Sequence, residues 1–315
     1  NNSTASTTNA TNSQKIDIIS SHISYINSSI FSGEESGIGT GDSTILENGS
    51  WGQIFGSVAS QDERKGEVGY DSNTWGMILG FDSSEEKDDK NTILGAAFSY
   101  SNSNVDDKSE SKKNTKINSY QVSLYRSKSN RSKLGLYSEN VANIALNQYD
   151  SRRKINVETF NATAKSEYKG IQYGLRSGMG YNFEFLERFV ISPNLHLEYS
   201  ILDQDDYTES GAGNVGYNVE NESFETLVSS LGVDIAGKIN LGKNNALYPK
   251  LYLSWMRNLK TDGHETRTSF IAGGEAIRNV GIDLISNMYN VGTEFILSRD
   301  GDKNFSFRYD LQTGG

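Results

Sequence analysis

Few residues in this sequence could carry covalent or acid–base chemistry. The three histidines, His22, His196 and His264, are widely separated, and there is no cysteine. That removes disulfides, thiolate metal sites and thiol nucleophiles. A hydrolase pairing would have to involve His196, which falls in the middle of a strand pattern. The acidic stretch Asp82–Asp89 (DSSEEKDD) suggests calcium by its density. It lacks the regular D-x-D-x-D-G loop, so it reads as a solvated turn. No nucleophile–base pair and no phosphate-binding loop is visible. The sequence predicts no catalytic residue, no cofactor and no metal site, and therefore not an enzyme. Charged side chains instead fall among the polar places of long alternating segments, where ion pairing and hydrogen bonding are the chemistry open to them.

Those segments set the class of fold. The chain has 315 residues, of which 35% are hydrophobic and 10% aromatic, with 31 Gly and 2 Pro. So little apolar content disfavours a large closed core, and so many aromatics disfavour wholesale disorder. The net charge of −10 makes a nucleic-acid partner a poor fit. No apolar run reaches the roughly 18 residues of a membrane helix. Membrane β-strands need only about 9–11 residues each and escape that criterion.

Residues 1–13 (NNSTASTTNATNS) are almost all Asn, Ser and Thr and read as a flexible linker. Over 14–32, Ile16, Ile19, Ile23, Ile26 and Ile30 recur at 3-4-3-4 spacing, one stripe along a helix. Residues 33–50 form a Gly-rich connector. From Trp51 the period becomes two. In 171–185 the odd places are Ile171, Tyr173, Leu175, Met179, Tyr181, Phe183 and Phe185, broken only by Ser177, while the even places are polar or Gly. The same alternation marks eleven strands, starting near 51, 70, 92, 114, 132, 165, 190, 223, 247, 285 and 304. Short connections (83–91, 128–132, 186–189, 241–246, 298–304) alternate with long ones (58–70, 103–114, 149–164, 202–222, 261–284). That is the habit of a transmembrane antiparallel up-and-down β-barrel. A soluble β-sandwich also alternates, but its strands are usually about 5–6 residues long.

In order and spacing these features resemble the C-terminal β-barrel translocator of autotransporters, the type V secretion proteins. The points of resemblance are the Ser/Asn-rich linker, the amphipathic helix, WGQIFGS (51–57), GMILGFD (76–82), PNLHLEY and PKLYLSW, and MYNVGTEFILS followed by NFSFRYDLQTGG. The Asn/Lys/Ser-rich composition is similar to rickettsial surface-antigen barrels. The resemblance implies an all-β barrel of twelve strands in the bacterial outer membrane, with the helix in its lumen. It implies protein transport: export and surface anchoring of a covalently linked N-terminal passenger domain. Its further partners would be outer-membrane lipid and the outer-membrane barrel assembly machinery. About eleven strands are counted in 51–315, so a final strand is expected beyond Gly315.

In that arrangement the polar strand faces line the pore. The candidates are Glu139, Arg176, Glu184, His196, Glu198, Asp234, Lys238, Lys250, Glu294, Arg308 and Asp310. Both signs are present, so they can pair with one another and with Lys15, Asp17 and the serines of the helix, as a wet sleeve. An outer-membrane porin-like channel is the alternative, disfavoured because a porin begins with a strand rather than a linker and helix.

Overall fold

The computed structural model describes residues 2–27, 46–87, 89–109, 112–130, 132, 134–157, 160–185, 189–242, 245–299 and 303–314. Ile30 and most of the 33–50 connector lie outside the described residues. The chain opens with helix α1 (Asn2–Ile26), then strands β1 (Leu46–Gln61), β2 (Tyr70–Lys87), β3 (Lys90–Asp107), β4 (Asn114–Asn130), β5 (Gly135–Val157), β6 (Phe160–Phe185) and β7 (Phe189–Gln204). There follow β8 (Tyr207–Thr208), β9 (Tyr217–Asn221), β10 (Phe224–Gly237), β11 (Ile239–Gly242) and β12 (Asn245–Lys260). The last four are β13 (Glu265–Phe270), β14 (Ile277–Val280), β15 (Asn287–Arg299) and β16 (Lys303–Gly314).

Eleven of these strands form one curled sheet in the order β1-β2-β3-β4-β5-β6-β7-β10-β12-β15-β16, with the short β11 added on β12. Every neighbouring pair is antiparallel, so the sheet is an up-and-down meander wrapped round α1. Among the described residues β1 and β16 do not pair with each other.

The alternation read from the sequence is the inside–outside alternation of this sheet. Along β6 the row from Ile171 to Phe185 points outward, with Leu175 54% exposed, while Gln172, Arg176 and Asn182 on the other face are buried. Fourteen steps of about 3.3 Å span roughly 46 Å. Tilted by about 45°, they rise roughly 33 Å, close to the hydrocarbon thickness of a bilayer. Ser177, the one polar residue in the row, donates to Asn140 Oδ1 on β5 at 2.8 Å, so its hydroxyl hydrogen is satisfied within the sheet. Aromatics mark both boundaries. Trp75, Tyr100 and Tyr120 pack ring to ring near the long-loop end, and Tyr181 and Phe183 near the short-turn end. Such girdles suit headgroup depth, where one end of a ring is apolar and the other wet.

Three expectations need correction. Residues 1–13 are not a flexible linker, because α1 starts at Asn2 and buries Thr4, Thr7, Thr8, Thr11 and Asn12. Ser, Thr and Asn are mediocre helix formers. Here the wall holds them: Ser3 donates to Asp107 at 2.8 Å, Thr8 bonds Tyr149 at 3.3 Å, and Gln172 donates to Asn9 at 3.2 Å. Second, Asp82–Asp89 is not one solvated turn, and the short connection at 83–91 is mostly strand. β2 runs to Lys87, paired with Lys90, and its inward Asp82 is buried. Third, the long connections carry structure. β5 and β6 continue into a hairpin closed at Val157–Phe160, and the order β14-β13-β9-β8 makes a second, four-stranded sheet from 207–280.

That outer sheet encloses His264, whose Nε2–H donates to the Glu222 carbonyl at 2.9 Å beside the Phe224 ring. Its Nδ1, the acceptor nitrogen of that neutral ring, is buried with no donor among the described residues. Burial pushes its pKa down from 6.5 to about 4.

Two outcomes follow from this architecture. Leu175→Arg places a charge near the bilayer midplane and is expected to lower barrel stability by about 2–4 kcal/mol. The urea midpoint of barrel folded into vesicles measures it, and a lumen change such as Ser123→Asn serves as the mild control. For His264, both folded and unfolded imidazoles are neutral above pH 6.5. Between 6.5 and about 4 only the unfolded one binds a proton. Stability of the outer sheet is therefore present above pH 6.5 and is lost as pH falls to about 4, a change of about 3 kcal/mol. Protease cleavage in 261–284 against pH checks this, and His264→Gln is expected to flatten the profile.

The helix-filled lumen as candidate functional site

α1 is about 37 Å long at 1.5 Å per residue, enough to cross the bilayer inside the barrel. Its direction follows from its end contacts. Ser3 meets Asp107, and Asn2 Nδ2 reaches the Ile282 carbonyl at 3.5 Å, both at the long-loop mouth. Asn27 Nδ2 donates to Ser127 at 2.6 Å and its Oδ1 accepts from Ser129 at 2.9 Å, at the short-turn mouth. The helix thus descends from the long-loop mouth to the short-turn mouth. β1 then climbs back, its Leu46 paired with Glu85 near the β2–β3 turn.

The lumen has two unlike sides. Toward β1–β5 it is apolar: Ile16, Ile18, Ile19 and Ile23 pack with Phe55, Ile78, Ile93, Ala97, Tyr125 and Val141, and Ile26 rests against this cluster. At its lower edge His22 stacks on Trp51 with ring centroids 4.3 Å apart. His22 Nε2 lies 2.6 Å from Asp82 Oδ2, which also accepts from Tyr125 OH at 2.8 Å, and Tyr125 OH accepts from Trp51 Nε1 at 2.8 Å. Trp51 lies flat over Gly80, where a Cβ would fall 2.2 Å from the indole.

Toward β5–β16 the lumen is charged, and Ser13, Asp17, Ser20 and Ser24, spaced 4-3-4, face it. Arg176 on β6 is the hub. Its guanidinium meets Asp17 Oδ1 at 2.6 Å and Glu198 Oε2 at 2.5 Å, and also donates to Ser20 Oγ at 3.3 Å. Ser13 donates to Glu198 at 2.5 Å and Ser20 to Glu139 at 2.7 Å. His196 lies 3.1 Å from the same Glu139 oxygen. Lys250 joins Asp234 at 2.8 Å to Ser24 at 2.9 Å, and Ser21 donates to Glu294 at 2.7 Å. Arg308 grips Asp310 with two nitrogens at 2.8 and 3.1 Å, reaches the Asp17 carbonyl at 3.3 Å, and stacks 4.5 Å from the Tyr252 ring centroid.

The predicted pore residues therefore divide. Glu139, Arg176, Glu198, Lys250, Glu294 and Arg308 bond the helix directly, and His196, Asp234 and Asp310 hold three of them, Glu139, Lys250 and Arg308 respectively. Glu184 does not line the pore. It has the inward parity of β6, but it lies next to the strand's end at Phe185, past the lumen, and is exposed. Lys238 sits just beyond β10 over the Tyr248 ring, 5.7 Å from its centroid, rather than along the helix. Sequence reasoning missed Asp82, Trp51, Tyr125 and Ser119. Asp82 was hidden in an acidic run, and the other three show only the parity of their strands.

Lys15 is fully buried and donates to Ser119 Oγ at 3.0 Å, with no ion pair among the described residues. Asn12, Asn143 and Asn147 have buried amide atoms with no protein hydrogen bond. Each such group costs about 1–3 kcal/mol. The middle of the sleeve is therefore held less tightly than the Arg176 level.

Residues 50–310 match the family described as "Autotransporter beta-domain". The chain belongs to that family: it is an outer-membrane translocator β-domain, and the family is one of transport rather than catalysis. It is 20% identical over 284 residues to outer membrane protein B of Rickettsia prowazekii (88% of this chain, 17% of the relative). It is 28% identical over 251 residues to outer membrane protein A of Rickettsia conorii (74% of this chain, 12% of the relative). The chain thus spans less than a fifth of the length of these relatives. In fold it resembles the transport unit of the autotransporter AIDA-I from Escherichia coli (TM-score 0.60, 14% identity, 84% of this chain and 85% of that one). It also resembles the β-domain of the Bordetella autotransporter BrkA (TM-score 0.57, 16% identity, 85% and 92%).

Two substitutions should act in opposite directions. Arg176→Met leaves Asp17 and Glu198 facing each other unpaired and is expected to cost about 3–5 kcal/mol of helix retention. Lys15→Met replaces a buried ammonium with an apolar chain of like length and is expected to tighten retention. The rate at which protease cuts α1 in the folded barrel reports both.

Proposed function

We propose that this barrel carries an N-terminal passenger domain across the outer membrane and afterwards anchors it through α1. The observation behind this reading is the helix polarity. Its N-terminal end lies at the long-loop mouth and its C-terminal end at the short-turn mouth. In outer-membrane barrels the long loops are extracellular and the short turns periplasmic. Polypeptide joined ahead of α1 therefore lies outside the cell.

The nature of the sleeve suits passage followed by capture. A sliding chain presents changing side chains, and a wall of Ser, Asn, Gln and paired charges can trade hydrogen bonds with many of them. The charged side then recognises one helix by register, through Ser13, Asp17, Ser20 and Ser24. The residues named as pore-lining, apart from Glu184 and Lys238, form this recognition side, and Ile16, Ile19 and Ile23 add an apolar seat against β1–β5. The barrel assembly machinery of the outer membrane is the partner that would insert such a sheet. Any enzymatic activity would belong to the passenger.

The test has two arms. An epitope placed ahead of Asn1 in the full-length protein should be reachable by antibody on intact cells, and an epitope that stays inside the cell overturns the reading. In planar bilayers, deletion of residues 1–33 should raise single-channel conductance strongly. A porin-like channel, the second reading, predicts little change because its helix would not fill the conducting path.

A further inference from the structure

The outer sheet ends in an open edge. β14 pairs with β13 on one side, and among the described residues nothing pairs with its other side. The Gly281 N–H donates to the His264 carbonyl at 3.0 Å, which sets the phase of this ladder. In an antiparallel pair, residues alternate between aiming both backbone groups at the partner and aiming both away. Gly281, Asn279 and Ile277 aim at β13. Arg278 and Val280 aim their N–H and C=O out of the edge, and each offers one donor and one acceptor. Flanking side chains are apolar and open: Ile277 is 62% and Val280 53% exposed. The Arg278 guanidinium is turned back onto Glu265 of β13 and does not cover the edge. The strand has no proline to block pairing, so it is a template for an added strand.

The neighbour of this edge is the start of α1. Asn2 packs on Gly281, where a Cβ would fall 2.6 Å from the Asn2 side chain, and Asn2 Nδ2 bonds the next carbonyl, that of Ile282. The helix is therefore moored at the C-terminal end of β14. A chain that lay along β14 and then entered the helix at this mooring would run in the direction of β14 itself. Its tether to the edge is a few residues long, which makes its effective concentration there far higher than that of any second copy.

We propose that the exported segment immediately preceding α1 docks on β14 as a parallel fifth strand of the outer sheet, bonded to the outward backbone groups of Arg278 and Val280. This rests on the export reading above and adds the surface that receives the emerging chain. A segment with β-branched or aromatic residues at alternate places fits, because Ile277 and Val280 lie on opposite faces of the edge.

The test uses the full-length protein displayed on cells, with p-benzoylphenylalanine in place of Ile277 and, separately, of Val280. Irradiation should give an adduct within one chain that maps to residues just ahead of Asn1. Val280→Pro, combined with the probe at Ile277, removes an outward N–H and leaves the β13 bonds in place, so it should cut adduct yield several-fold. Adducts that are absent, that join two chains, or that survive Val280→Pro unchanged overturn the docking while surface display stands. A passenger that never reaches the surface overturns the export reading and the docking together, and antibody labelling of the same cells separates the two results.

Discussion

Hydrocarbon offers no hydrogen bonds. Everything in this structure answers to that fact. A backbone in lipid must satisfy its own N–H and C=O groups. The up-and-down sheet does this strand by strand, and even the lone outward Ser177 finds Asn140. The same constraint leaves the sheet with a second face that cannot also be apolar at every point. That face is an interior too wide for strand side chains alone to fill. The polar helix is what completes it.

The filling is uneven, and the unevenness is informative. On the β1–β5 side the helix sits on an apolar seat, which contributes stability without regard to register. On the β5–β16 side it is held by charge-assisted hydrogen bonds, which are roughly twice as strong as neutral ones and depend on register. Arg176 shows why such a hub can exist in the lumen. Its charge is met by Asp17 from the helix and Glu198 from the neighbouring strand, so the guanidinium is not left alone. Just above the Arg176 level, Lys15 and the Asn12–Asn143–Asn147 region are poorly compensated. A helix gripped on two sides, with poorly compensated groups beside the grip, is captured without being sealed along its length.

How much of this was legible in the sequence depends on where the information sits. The barrel strands were readable because each residue's environment, lipid or lumen, depends on its own parity alone. Ile171–Phe185 shows it directly. Nine of the eleven proposed pore residues lie around the helix for the same reason. Parity carries no information about height, so it does not show that Glu184 lies past the end of the lumen. The outer sheet is not legible because ETRTSF and IRNV are too short to show alternation, and the second partner of ETRTSF, β9, lies in another part of the chain.

From the sequence by itself came the two-faced strands, the meander order, the isoleucine stripe and the charges available to the lumen. All of these follow from local periodicity, a property of neighbours along the chain. Only the tertiary structure decided that Asn2–Ser13 is helix, that Asp82 meets His22, and that Asp17 rather than Lys15 carries the ion pair. Those outcomes depend on which wall faces which side of the helix. That is set by how far the sheet curls and where the helix sits inside it, and no stretch of residues records it alone.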